Sequence, residues 1–163
     1  MAQFEAVREL LLVEGEALDD QRWDDWLNLY TNDCLFWVPA WDDDHVLTTD
    51  PSNEISLIYL DGKERLEERV WRIRSGLSSS LIRIPRTCHL VTNIRVTEAQ
   101  GSTLSVRANF HVDAFKLDEL RLDYFFGHYF YQLVEEDGAL KIKQKKIVVK
   151  NDLIPRQMDI FSV

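Results

Sequence analysis

Two stretches decide the fold of this 163-residue chain: Arg107-Ala108-Asn109-Phe110-His111-Val112-Asp113-Ala114, and Tyr124-Phe125-Phe126-Gly127-His128-Tyr129-Phe130-Tyr131. In the first, Ala108, Phe110, Val112 and Ala114 alternate with Arg107, Asn109, His111 and Asp113, the period of a strand with one packed and one polar face. The second is nearly all aromatic and predicts a strand covered on both faces. Outward from these, four β segments close the sequence, at 88–96, 103–117, 121–135 and 140–149. Asp137-Gly138 is a hairpin signal between the last two. In the last, the apolar phase moves from Leu140 and Ile142 to Ile147 and Val149, so a β-bulge is expected near Lys145-Lys146.

Helices precede the strands. Phe4, Val7, Leu11 and Leu18 recur at near-helical spacing over 4–18. Trp23, Trp26, Leu27 and Tyr30 then share one helical face over 19–30, with Asp19 or Asp20 as its expected cap. The short apolar run 35–41, interrupted by Pro39, suits an edge strand. An acidic loop follows, Trp41-Asp42-Asp43-Asp44-His45, without calcium-loop spacing. A strand at 55–60 and the turn Asp61-Gly62 lead into a helix over 63–74, whose stripe is Leu66, Val70 and Ile73. Glu68 and Arg72 lie one turn apart on it. Gly76 and the serines Ser78, Ser79 and Ser80 end that pattern, and Pro85 stiffens the loop before the next strand. Helices followed by long strands make an α+β domain, one domain over 1–163, its strongly curved antiparallel sheet wrapped around the N-terminal helices as a cone.

Composition narrows the function. Asp and Glu number 28 against 19 Lys and Arg, a net charge of −9. Nucleic acid and anionic membrane partners are disfavoured, because phosphate binding needs clustered cations. Lys141, Lys143, Lys145, Lys146 and Lys150 form one cluster, read as a solvated or subunit-facing sheet surface. Cys34 and Cys88 allow one bridge, but nothing demands it. The opening MAQFEAVREL lacks a signal peptide's apolar stretch, and no run is long enough for a membrane span, so a cytoplasmic chain is expected.

A His–Asp pair on a curved sheet abstracts protons or orients water. His111 and Asp113 share a strand face, and His89, Asp123 and Tyr30 are candidates to approach them. Two readings stand: a stand-alone isomerase, dehydratase or hydrolase using His111 and Asp113, or hydrogen-bonded structural and interface groups. Iron chemistry lacks its ligands. A Rieske cluster takes two Cys and two His, whereas Cys88-His89 are adjacent and Cys34 has no nearby histidine. A mononuclear iron takes two His and a carboxylate, and His45, His89, His111 and His128 are scattered. Aromatic residues are in surplus. Trp37, Trp41, Arg83, Arg86 and His89 are interface candidates by residue type and loop position, since Trp and Arg dominate binding hot spots; the alternative is that the tryptophans complete the chain's own core.

The ordered set of motifs resembles the small (beta) subunit of bacterial aromatic-ring-hydroxylating dioxygenases, nearest in pattern to the anthranilate and benzoate 1,2-dioxygenase branch. It runs through Glu16-Ala17-Leu18-Asp19-Asp20, Trp23-Asp24-Asp25-Trp26-Leu27, Phe36-Trp37-Val38-Pro39, Glu54-Ile55-Ser56-Leu57-Ile58-Tyr59 and Arg65-Leu66-Glu67, with Arg69-Val70 and Arg72-Ile73 beyond it. It resumes at Pro85-Arg86-Thr87, His89-Leu90 and Asn93, and ends at Lys150-Asn151-Asp152. Cys88 departs from the pattern, which commonly has a larger polar residue there. The resemblance implies a nuclear-transport-factor-2-like (cystatin-like) cone and assembly with a large (alpha) subunit, commonly three large and three small. It places the Rieske [2Fe-2S] cluster and the mononuclear Fe(II) in that large subunit. Electrons come from NADH through a separate reductase, and no catalytic residue, cofactor or metal ligand falls on this chain. The substrate implied is an aromatic carboxylate, anthranilate giving catechol or a benzoate-type acid.

Overall fold

The computed structural model describes residues 2–76, 83–154 and 158–163. Helix α1 (Ala2–Asp19) buries Val7, Leu11, Ala17 and Leu18 along one face. Helix α2 (Trp23–Asn28) is only six residues long and buries Trp23, Trp26 and Leu27. Its N-cap is Arg22, without a side-chain cap bond, so neither Asp19 nor Asp20 caps it as expected. The Asp19 carboxylate is engaged elsewhere, by Thr87 and His89. Tyr30 is not helical either. It opens strand β1 (Tyr30–Pro39), because the backbone of Leu29 already accepts from Ile142 N on the neighbouring strand.

Strand β2 (Ser56–Asp61) and helix α3 (Lys63–Ser75) follow, then strands β3 (Arg86–Gln100), β4 (Thr103–Lys116), β5 (Arg121–Glu136) and β6 (Ala139–Val149). The six strands form one sheet in the order β2-β1-β6-β5-β4-β3. β1 is therefore an interior strand and not the edge expected from Pro39. That proline stands at its far end, where the register with β2 shifts, so its missing N–H leaves the ladder intact. β1 runs parallel to β6 while every other pair is antiparallel.

Leu66, Val70 and Ile73 of α3 are buried as the stripe requires. Glu68 pairs with Arg65 at 3.0 Å rather than with Arg72. Gly76 ends α3 at φ +62°, a conformation glycine adopts without steric cost. Ser78–Ser80 lie outside the described residues. Asp137 (φ +53°) and Gly138 (φ +76°) make the β5–β6 hairpin, both left-handed as a primed turn requires.

The bulge in β6 lies at Lys143, earlier than expected. Gln132 pairs with Gln144 but Leu133 with Ile142, leaving Lys143 as the extra residue. The shift turns Lys145 inward, where it is buried, while Lys146 faces outward. The lysine cluster is therefore divided between the two faces of the sheet.

The sheet curls around the helices. α1 lies across β3, and α3 lies against β1. Trp26 packs 5.0 Å from Tyr30 and 6.2 Å from Phe36, and Phe110 stacks on Tyr129 at 4.3 Å. Enclosing a side chain such as Phe36 stabilises the fold by roughly 1.5–3 kcal/mol. The segment 158–163 wedges into this core. Phe161 lies 6.5 Å from Trp23, and Asp159 accepts two bonds from Arg69, at 2.7 and 2.6 Å.

Candidate functional site

Strand alternation gives the sheet two chemically different faces. Inside the cone, Glu14 of α1 is the hub. Its carboxylate accepts from Tyr30 and, at 2.7 Å, from Tyr131, while Lys145 Nζ donates to it at 3.0 Å. The Lys145 ammonium lies 4.2 Å from the Tyr129 ring centroid and within 6 Å of the Phe36 and Tyr131 rings, a cation–π cage. Burial pulls the Lys145 amine below its ordinary value, against the opposing pull of Glu14. Burial also pushes the phenols of Tyr30, Tyr129 and Tyr131 well above theirs, with Glu14 adding to it. Nothing in the sequence reading pointed to this cluster. The one signal for it is the phase shift in β6, which with the bulge correctly placed makes Lys145 an interior residue.

A second interior pair joins α1 to β3. His89 Nδ1 lies 2.6 Å from Asp19 Oδ1, and the His89 backbone N–H and the Thr87 hydroxyl donate to the same carboxylate. Burial works to raise the Asp19 carboxyl, but the His89 contacts and Thr87 hold it below its ordinary value. Gly15 makes room: a Cβ there would stand 3.0 Å from His89 Cβ.

His111 and Asp113 lie on the opposite, outer face of the sheet. His111 Nε2 is 3.0 Å from Asp113 Oδ1, and the imidazole stacks on Tyr124 at 5.7 Å. Both side chains are about two-fifths exposed, at 43% and 38%. The expected approach of His89, Asp123 and Tyr30 does not occur. Val112, opposite His89 in the register, and Ala114, opposite Asp123, point inward, and Tyr30 belongs to the Glu14 cluster. Period-two alternation separates residues 111 and 113 from all three. The His111–Asp113 pair therefore stands on the outer face of the sheet, apart from these three residues.

The remaining outer face carries exposed aromatics. Tyr124, Phe126 and Phe130 of β5 are exposed, as are Leu57 and Tyr59 of β2 and Leu90 of β3. The expectation that β5 is covered on both faces holds within this chain only for the inner one, with Phe125, Tyr129 and Tyr131 buried. Trp37 lies on the outer side with Lys146 Nζ 4.6 Å from its ring, although its indole is largely covered and donates to Ser56 Oγ at 2.9 Å. Trp41 is 38% exposed and donates to the Val149 carbonyl at 2.8 Å. Arg83 and Arg86 are exposed at the entrance to β3, while the His89 side chain is enclosed.

The donor set does not fit an iron site. Burial pushes the Cys34 thiol up to about 11, which disfavours the thiolate a metal needs. Cys88 is exposed on the outer face, and His89 is held by Asp19. Among the described residues no three His, Cys, Asp or Glu side chains converge. No described helix is long and apolar enough to cross a membrane.

Comparison with known proteins agrees with this geometry. The family model "Ring hydroxylating beta subunit" matches residues 13–156. The chain is 39% identical to the toluate 1,2-dioxygenase subunit beta of Pseudomonas putida over 98% of both chains. It is 30% identical to the anthranilate 1,2-dioxygenase small subunit of Acinetobacter baylyi, over 97% of this chain and 96% of that one. The crystal structure of the benzoate 1,2-dioxygenase beta subunit from Burkholderia mallei superposes with a TM-score of 0.79 at 34% identity, covering 96% and 95% of the two chains. The protein belongs to the family of ring-hydroxylating dioxygenase beta subunits.

Proposed function

We propose that this chain is the structural, non-catalytic small subunit of a terminal oxygenase whose large subunit performs the chemistry. The observation that carries the reading is the contrast between the two faces of one sheet. The inner face buries its side chains and ties several of them together at Glu14 and Asp19, whereas the outer face leaves Tyr59, Tyr124, Phe126 and Phe130 exposed. Aromatic residues left uncovered beside arginines are the composition of a protein interface. In this reading the outer face and the rim residues Trp41, Arg83 and Arg86 meet neighbouring subunits, braced by Trp37, largely covered on the outer side, and by His89, enclosed within the cone.

The assembly proposed is three large and three small subunits, cytoplasmic, formed by a single domain over 1–163. The large subunit would hold the Rieske cluster and the mononuclear iron, fed from NADH through a separate reductase. The substrate class is an aromatic carboxylate. A benzoate-type acid is favoured over anthranilate, since identity is 39% to the toluate subunit and 30% to the anthranilate one. Reconstitution tests the reading. The large subunit alone, this chain alone and the two together, each supplied with NADH, dioxygen and the separate reductase, are assayed for ring dihydroxylation of benzoate, toluate and anthranilate. Turnover that needs both chains, with none from this chain alone, is expected; turnover by this chain alone overturns it.

A further inference from the structure

Two arginines stand in direct register on the outer face. The β3–β4 pairing sets Arg95 opposite Arg107, and both are exposed. Like charges directly opposite each other oppose strand pairing. Arg107 lies 5.7 Å from the Phe130 ring centroid, and its Nη2 is 3.4 Å from His128 Nε2. His128 offers no counter-charge. Its Nδ1 is 2.9 Å from Asn109 Oδ1, and an imidazole is neutral or cationic, never anionic. Among the described residues neither arginine has a carboxylate within ion-pair distance. On a chain of net charge −9, that is a seat for a carboxylate from outside.

The chain carries the complementary group itself. Asp43 closes the acidic loop by accepting from the His45 and Val46 N–H groups, and the Trp41 indole ties the loop to the end of β6. Asp42 and Asp44 remain exposed on that braced loop, with no cation within ion-pair distance among the described residues. We propose that the Arg95–Arg107 pair of one copy receives the Asp42–Asp44 loop of a second copy, so that small subunits meet through unlike, complementary surfaces. Such a contact is heterologous and closes into a ring when the rotation permits. The proposal rests on the reading of the outer face as an assembly surface and names the chemistry of one contact in it.

The test is the solution mass of the full chain alone, by sedimentation equilibrium over a range of protein and salt concentrations. The wild type should self-associate, and less so as salt rises. Charge reversal on either side, R95E/R107E or D42K/D44K, should weaken association by roughly tenfold or more, because unlike charges become like ones. The four-fold charge-swapped chain should recover it. The milder R95Q/R107Q serves if a reversed variant fails to fold, judged by circular dichroism. A wild type monomeric throughout, or variants that associate like it, overturns the proposal. Each chain is also tested for binding to the co-expressed large subunit. Loss of that partner alone in R95E/R107E assigns the carboxylate to the large subunit, overturning this contact while the assembly reading stands. A wild type that retains neither copy nor partner overturns both.

Discussion

Glu14 and Lys145 meet at 3.0 Å inside the cone, 131 residues apart in sequence, with side chains 2% and 1% exposed. The pair joins α1 to β6, and the hydroxyls of Tyr30 and Tyr131 complete it. Breaking a buried pair by removing one partner typically costs about 3–5 kcal/mol, because a charge is left uncompensated. Lys145→Met and Glu14→Gln alone should each destabilise by that order in urea denaturation. The double variant should cost clearly less than the sum, since neither charge is then orphaned. Additive losses would show that the two side chains are not coupled.

The same cluster sets the alkaline limit. Burial first, then Glu14, raises the phenols of Tyr30, Tyr129 and Tyr131 above their ordinary value of 10.0. The folded chain holds these protons at a pH where the unfolded chain releases them. Their contribution to stability is therefore complete below pH 10 and declines as pH rises above it. Absorbance near 295 nm followed with circular dichroism should show these three phenols ionising together with unfolding. Their ionisation in a chain that keeps its native spectrum would contradict the burial.

Gly127 sits in the aromatic strand for a steric reason. A Cβ there would stand 1.9 Å from the Val148 carbonyl oxygen, which is backbone and cannot turn aside. Gly127→Ala should cost about 4 kcal/mol or more, or abolish folding. A melting temperature within a few degrees of wild type would show that β5 and β6 separate there cheaply.

The two thiols should behave differently. Cys34 is buried and its thiol is held at about 11, while Cys88 is exposed. Ellman's reagent on the isolated native chain should titrate one thiol promptly and the second only in denaturant. Two prompt thiols would mean that the β1 region opens.

The four C-terminal strands were legible because alternation at Ala108–Ala114 and the Asp137-Gly138 turn are local signals. The family resemblance was legible from motif order. Three features were not. The parallel β1–β6 pairing is a contact between distant segments, which no local pattern encodes, so Pro39 was read as an edge marker. The shortness of α2 follows from that same pairing, which draws Tyr30 out of the helical pattern. The bulge was foreseen from the apolar phase, but two residues of error turned Lys145 from a surface charge into the partner of Glu14. For the candidate site, spacing placed His111 and Asp113 on one face correctly. Which face points inward depends on where α1 docks, and α1 docks on the side of His89.

In the proposed assembly this chain is held by a large subunit that carries the iron. The direct measurement is co-expression of both chains, purification through a tag on this one alone, and determination of mass and iron content. A mixed oligomer whose iron scales with the large subunit, and disappears when this chain is isolated, is the predicted result. A stable chain recovered without any partner, or one holding iron of its own, would contradict it.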